Sequence, residues 1–312
     1  MNLRALPIGF YGAVMGLAGL GLTARAAAPL FPGVVRAPAY FTELWVGLGT
    51  LAFILLVPAY AAKLVRYPKA VKDEFTDPVQ LGFCSSLPVG MSLVAGGIGP
   101  YSPLAASILW WAAFVVLLAF QGWALLRLLG GGIELAQVNA GWLIVFGGGF
   151  VLPGPGIGLG YVEASRFSFG FSTVAAALLM PLLLYRAFAA PPLPAVLRPS
   201  WFILLAPPTL IYVNGLALYP EAAFLEILYP FSLVLAAALL LYARHLARWP
   251  FGVPWWAFTF PLDALAYAAA RYALDRQTEL WRAVAGATLL LATLFVVMVL
   301  WKTLRSAASR RA

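Results

Sequence analysis

Apolar residues run through the chain in long stretches, each closed by basic positions or by a Pro/Gly-rich break. A bilayer-crossing helix needs about 20 mainly apolar residues, and stretches of that order recur from end to end. Ten spans are predicted, at 5–24, 42–65, 80–98, 103–129, 137–157, 165–188, 199–219, 221–247, 254–274 and 279–304. The fifth is the least regular, because "FGGGFVLPGPGIGLGY" puts glycine and proline inside it, where both disfavour helix. The expected fold is an all-α polytopic membrane protein, with one transmembrane domain over residues 1–312.

The spans alternate in kind. Even-numbered ones finish in basic ends, "AAKLVRYP", "WALLRLLGG", "LLLYRAF", "LLYARHLARWP" and "LWKTLR". Odd-numbered ones carry proline and small residues, as in "LPIGFYGAVMG", "SLPVGMSLVAGG", "GGGFVLPGPG", "LLAPPTLIYVNG" and "TFPLDALAYAAA". This alternation predicts five helical hairpins. Proline removes an intrahelical hydrogen bond and crowds the preceding turn, so Pro7, Pro88, Pro207 and Pro261 are each expected to bend a span. Irregular backbone at membrane depth is tolerated where protein or an aqueous cavity satisfies it. Five bent odd-numbered helices are therefore expected around a central axis, with five straighter ones facing lipid.

Composition sharpens this and excludes several functions. The chain is 63% hydrophobic and 10% charged, against roughly 45–50% and about 25% in soluble proteins. One histidine, His245, and one cysteine, Cys84, offer no material for a metal centre, haem site or disulfide framework. His245 reads as part of a basic helix end and Cys84 as a packing residue. No cofactor, metal or enzymatic activity is expected. Arg4, the apolar run after it and "TARAAAP" imitate a cleavable secretory signal. Pro7 followed by a glycine-rich run of span length reads instead as a retained first helix.

With ten spans both termini share one side. That side holds 14 of the 20 Lys+Arg: Arg4, Lys63, Arg66, Lys69, Lys72, Arg127, Arg186, Arg198, Arg244, Arg248, Lys302, Arg305, Arg310 and Arg311. Arg25, Arg36, Arg166, Arg271, Arg276 and Arg282 fall opposite. The positive-inside rule puts both termini in the cytoplasm of a cell-membrane protein. The net charge of +9 then expresses topology and requires no nucleic-acid partner.

The motif "WWAFTFPL" at 255–262, the opening "LPIGFYGAVMGLAGLGLTAR" and the ten-span length resemble the tellurite-resistance/dicarboxylate transporter family. That family includes TehA-type proteins and the slow anion channels of plant guard cells. The resemblance implies a pore within each protomer, five inner helices in quasi-fivefold arrangement, five outer ones, and a homotrimer. It also implies a pore-occluding phenylalanine on the ninth span. The aromatic before the proline is Phe260, with Phe258 as the alternative should the alignment slip.

Helical spacing supplies a separate reading of that span. From Phe260, positions i+3, i+4, i+7 and i+11 are Asp263, Ala264, Tyr267 and Arg271, which share one stripe. Intramembrane ionisable residues usually face a bundle interior or aqueous cavity, so the stripe is expected to point inward and line the pore. A bulky apolar ring would dewet a constriction. Asp263 fits three states, neutral through burial, paired with a base, or protonated during transport, and each implies a different function. Arg271, Arg276 and Arg282 are either mouth charges that gather anions or partners of Asp275 and Glu279. Ser85, Ser86, Ser92, Asn139, Thr209 and Asn214 either solvate a passing ion or bond a neighbouring helix. The expected function is a gated channel for small monovalent anions, chloride or nitrate-like. The alternative is a proton-coupled C4-dicarboxylate or sulfite-type transporter.

Overall fold

The computed structural model describes residues 3–32 and 39–309, and all regular structure among the described residues is helical. Arg36, Arg310 and Arg311, used in the charge count, lie outside the described residues. We number ten helical segments in chain order. They are α1 (Ile8–Leu30), α2 (Tyr40–Arg66), α3 (Pro78–Ile98), α4 (Pro103–Leu129), α5 (Trp142–Gly158), α6 (Val162–Ala189), α7 (Ala195–Leu218), α8 (Ala223–Arg248), α9 (253–276) and α10 (Glu279–Ser309). Among the described residues, 8 helices are long and apolar enough to cross a membrane. Of the other two, α5 is shorter, and α9 carries Asp263, Arg271, Asp275 and Arg276. The protein is thus a polytopic helical membrane protein. A short helix, Pro68–Thr76, follows α2 and was not anticipated.

Burial follows the alternation in sequence. The apolar windows of α1, α3 and α7 are 67%, 72% and 78% buried, whereas those of α2, α4, α6, α8 and α10 are 22% to 28% buried. Phe260 to Ala266 on α9 and Val145 to Pro153 on α5 are buried without interruption. Each even-numbered helix packs on the odd-numbered one before it. Among the odd-numbered segments, α1 packs on α3, α3 on α5, α5 on α7, α7 on α9, and α9 returns to α1.

All five odd-numbered segments are broken, as is the even-numbered α8, where 3₁₀ stretches Ala223–Ile227 and Ala243–Arg248 flank the α-helix Leu228–Tyr242. In α1 a 3₁₀ turn, Ile8–Tyr11, precedes the α-helix from Gly12. In α3, Pro78–Leu81 is separated by turns from Ser86–Ile98. The α5 segment is split into Trp142–Gly147, Gly148–Phe150 and Pro153–Gly158. In α7 and α9, 3₁₀ stretches Ala195–Leu205 and Val253–Phe258 lead into α-helices Ala206–Leu218 and Thr259–Arg276.

The prolines stand at or near these joints. Pro88, Pro207 and Pro261 sit in the first turn of the second half-helix, where a missing N–H is tolerated. Pro7 is the N-cap of the 3₁₀ turn Ile8–Tyr11 and has extended backbone. Pro58 and Pro181 lie inside the long helices of α2 and α6 without dividing them.

The basic ends of the even-numbered helices reach the starts of odd-numbered ones. Lys63 donates to the Leu6 carbonyl, Arg127 to the Thr76 carbonyl and Arg186 to the Val138 carbonyl, and Lys302 lies over the Trp255 ring. These cations therefore gather on one face, where α1, α3, α5, α7 and α9 begin.

Candidate functional site

Two cavities lie within the ring of odd-numbered segments. The narrower, about 230 Å³, opens toward their N-terminal ends and is bordered by Ile8 of α1, Phe83 of α3, Ile144 of α5, Ile203 of α7 and Trp256 of α9. The wider, about 570 Å³, lies toward their C-terminal ends and is bordered by Arg25, Leu93, Pro155, Asn214 and Tyr267 of the same five segments. Phe260, Val151 and Leu210 border both. The two cavities thus share three apolar lining side chains, of which the Phe260 ring is the largest.

Close helix packing sets the position of that ring. Gly12, Gly16 and Gly19 form one face of α1, against Trp256, Thr259, and the pair Phe260 and Asp263 of α9. A β-carbon at Gly16 would lie 2.6 Å from Thr259 Cβ, and one at Gly19 would lie 3.0 Å from both Phe260 Cδ2 and Asp263 Oδ2. Only a bare backbone lets α1 approach this closely. Thr23 Oγ1 pins the contact further along by donating to the Asp263 carbonyl at 3.0 Å. Phe258 borders neither cavity. It is enclosed by aromatic rings, with Phe202 at 4.6 Å, Phe295 at 5.4 Å and Trp255 at 5.7 Å between centroids.

The stripe read from the sequence divides at its end. Asp263, Ala264 and Tyr267 border the wider cavity beside Phe260. Arg271 does not: it is solvent-exposed and pairs with Asp275 at 3.0 Å. Arg276 pairs with Glu226 and Arg282 with Glu279 at 3.1 Å, so all three cations have an acidic partner. Asp263 is 1% exposed, and neither carboxylate oxygen has a hydrogen-bond partner. Of the three states open to Asp263, pairing with a base is therefore the one not found.

Sequence reasoning passed over Arg25 as a site residue. Its guanidinium borders the wider cavity, donates to the Gly96 and Gly97 carbonyls at 3.2 Å each, and pairs with Glu43 at 3.4 Å. It thereby satisfies carbonyls at the end of α3, where orphan acceptors and the negative dipole end gather. Glu43 also acts on Tyr101 in the α3–α4 turn, where the hydrogen bond pushes the phenol pKa up. A cation in the last turn of a glycine-rich span was the available signal.

Neighbouring side chains bond the irregular backbone of α5. Asn214 donates to the Phe150 carbonyl at 2.6 Å, Trp110 to the Leu152 carbonyl at 3.0 Å, and Gly149 N–H to Ser172 Oγ at 3.0 Å. Asn139 accepts from Gly141 N–H and donates to the Val79 carbonyl, Ser86 donates to the Ile8 carbonyl, and Thr209 to the Leu205 carbonyl. Ser86, Asn139, Thr209 and Asn214 are thus engaged with backbone, while the hydroxyls of Ser85 and Ser92 have no hydrogen-bond partner. No group of three or more His, Cys, Asp or Glu that would hold a metal ion occurs among the described residues.

Comparison with known proteins matches this architecture to one family. The profile of the SLAC1 family, described as voltage-dependent anion channel, matches residues 5–304. A tellurite resistance protein TehA homolog from Haemophilus influenzae is 26% identical over 271 residues, covering 86% of this chain and 81% of that protein. The S-type anion channel SLAH2 of Arabidopsis thaliana is 26% identical over 280 residues, covering 86% of this chain and 52% of SLAH2. The chain thus spans about half the length of that plant relative.

Proposed function

The chain belongs to the SLAC1 voltage-dependent anion channel family, and from that premise we propose that it is a gated channel for small monovalent anions, with Phe260 as the gate. One observation carries the reading: two cavities bordered by the same five segments share Phe260 in their lining. An anion moving between them must pass a ring that narrows the path and excludes water, which raises the barrier to a hydrated ion. Swinging one side chain aside joins the cavities without moving a helix.

The ten-span, quasi-fivefold arrangement belongs to the same proposal. It is supported by the closed sequence of odd-segment contacts and by their burial relative to the even-numbered helices. The basic face, bearing Lys63, Arg127, Arg186 and Lys302, is assigned to the cytoplasm of a cell-membrane protein, so the narrower cavity faces inward. The exposed even-numbered helices serve lipid contact and assembly into a homotrimer.

Arg25 at the mouth of the wider cavity and the apolar constriction favour weak, width-limited anion selection over tight binding. The test is current in symmetric chloride through purified protein in a planar bilayer. Phe260→Ala is expected to raise conductance strongly, and no rise for any anion refutes the gate. A proton-coupled carrier of dicarboxylate or sulfite-type anions is the second reading, favoured by the unpaired acid Asp263 beside the wider cavity. Anion accumulation driven by an imposed proton gradient selects it over passive flow.

A further inference from the structure

Among the described residues two acids are buried, Glu74 and Asp263. Glu74 is bonded to Lys63 and Tyr60. Asp263 has no donor and no counter-ion, and its oxygens are shut off from the wider cavity that the residue borders. Its Oδ2 and the Phe260 ring flank one notch at Gly19, each 3.0 Å from where a β-carbon there would stand.

The surrounding elements contribute few titratable groups. From α1 comes Arg25, already bonded to Gly96, Gly97 and Glu43. From α9 itself comes Tyr267, and from α7 Tyr212, which is stacked on Tyr229. The buried residues of α10 are all apolar. An ionised carboxylate in such a place is costly, and either a proton or hydration relieves the cost.

We propose that Asp263 is a proton-binding site coupled to the gate. The proton is bound while the Phe260 ring is seated, and it passes to water in the wider cavity when the ring swings aside and uncovers the carboxyl. This rests on Phe260 being the gate. Linkage then sets the sign. The open state binds fewer protons, so raising pH favours opening, by at most about tenfold in the open-to-closed ratio per pH unit for one proton. In the open state the ionised carboxylate repels anions, so the current through each open pore falls as pH rises through the open-state pKa, at the low-pH end of that range.

Single-channel recording of the full chain in symmetric chloride, with pH stepped on the side of the wider cavity, separates the two effects. Wild type is expected to gain open probability and lose unit current as pH rises, whereas Asp263→Asn is expected to be flat in both. An Asp263→Asn channel that follows pH as wild type does overturns the proton site. Phe260→Ala is expected to stay open at every pH while its unit current still falls. If Phe260→Ala conducts no better than wild type, the gate itself is refuted. If Phe260→Ala opens the pore yet wild type and Asp263→Asn respond alike, only the proton site is lost. Should Asp263→Asn fail to assemble, infrared spectroscopy of wild type decides. A protonated-carboxyl stretch that fades in step with opening supports the site, and a constant band overturns it.

Discussion

Glu74→Ala is expected to destabilise the protein more than removal of most surface charges, because Glu74 closes a buried cluster with Lys63 and Tyr60. Lys63 and Glu74 form an ion pair with side chains 1% and 9% exposed. Lys63 Nζ also donates to the Leu6 carbonyl at 2.8 Å, and Tyr60 Oη donates to Glu74 at 2.7 Å. The alanine leaves the ammonium with only a carbonyl acceptor and strips the phenol of its partner. Breaking a buried pair in this way costs about 3–5 kcal/mol. Glu74→Gln keeps one acceptor and belongs at the low end of that range. Replacing both residues together, Lys63→Met with Glu74→Leu, removes the desolvated charges as well as their attraction, and is expected to come within about 1–2 kcal/mol of wild type. Unfolding in detergent, followed by tryptophan fluorescence for each single and for the double replacement, gives the coupling. A double replacement as damaging as the sum of the singles refutes the reasoning, because each group would then contribute independently. The cluster holds Leu6 immediately before Pro7 and Ile8, which border the narrower cavity. The single replacements are therefore expected to alter conductance too.

Two further replacements probe the α1–α9 contact and the mouth of the wider cavity. Gly16→Ala puts a methyl against Thr259, so overpacking of about 1–3 kcal/mol is expected to exceed the roughly 1 kcal/mol gained in helix propensity. Gly122→Ala on α4, where nothing lies within 4 Å, is expected to be neutral or stabilising, and thermal denaturation of the two side by side checks the opposite signs. Arg25→Gln removes the cation that borders the wider cavity and leaves Glu43 without its ion-pair partner, and is expected to lower chloride conductance several-fold. The loss should be largest at low ionic strength, where screening is weakest, and recordings across a salt series check it.

Much of the fold was legible because span length and the alternation of basic ends with proline-bearing segments are local properties. Lys63, Arg127, Arg186 and Lys302 marked one face without any knowledge of packing. The site was legible only along α9, where helical periodicity grouped Phe260, Asp263, Ala264 and Tyr267 on one stripe. Periodicity could not end that stripe, since whether Arg271 borders a cavity depends on where neighbouring helices stop, and it bridges to Asp275 instead. Nor could it choose between Phe260 and Phe258. Both are buried, and only their surroundings distinguish a ring that borders two cavities from one enclosed by Phe202, Trp255 and Phe295.

The broken α5 looked like the weakest span because glycine and proline are poor helix formers when judged alone. Trp110, Ser172 and Asn214, from three other segments, bond its irregular backbone. By itself, then, the sequence determined the membrane class, the alternation of two kinds of helix and the face that carries positive charge, because burial in lipid and the cost of charge transfer act on each residue with little regard to its neighbours. Tertiary structure alone decided that Phe260 borders two cavities, that Arg25 stands at the wider one and that the Asp263 carboxylate has no partner. These are relations between side chains on different helices, set by how closely the glycine face of α1 lets α9 approach.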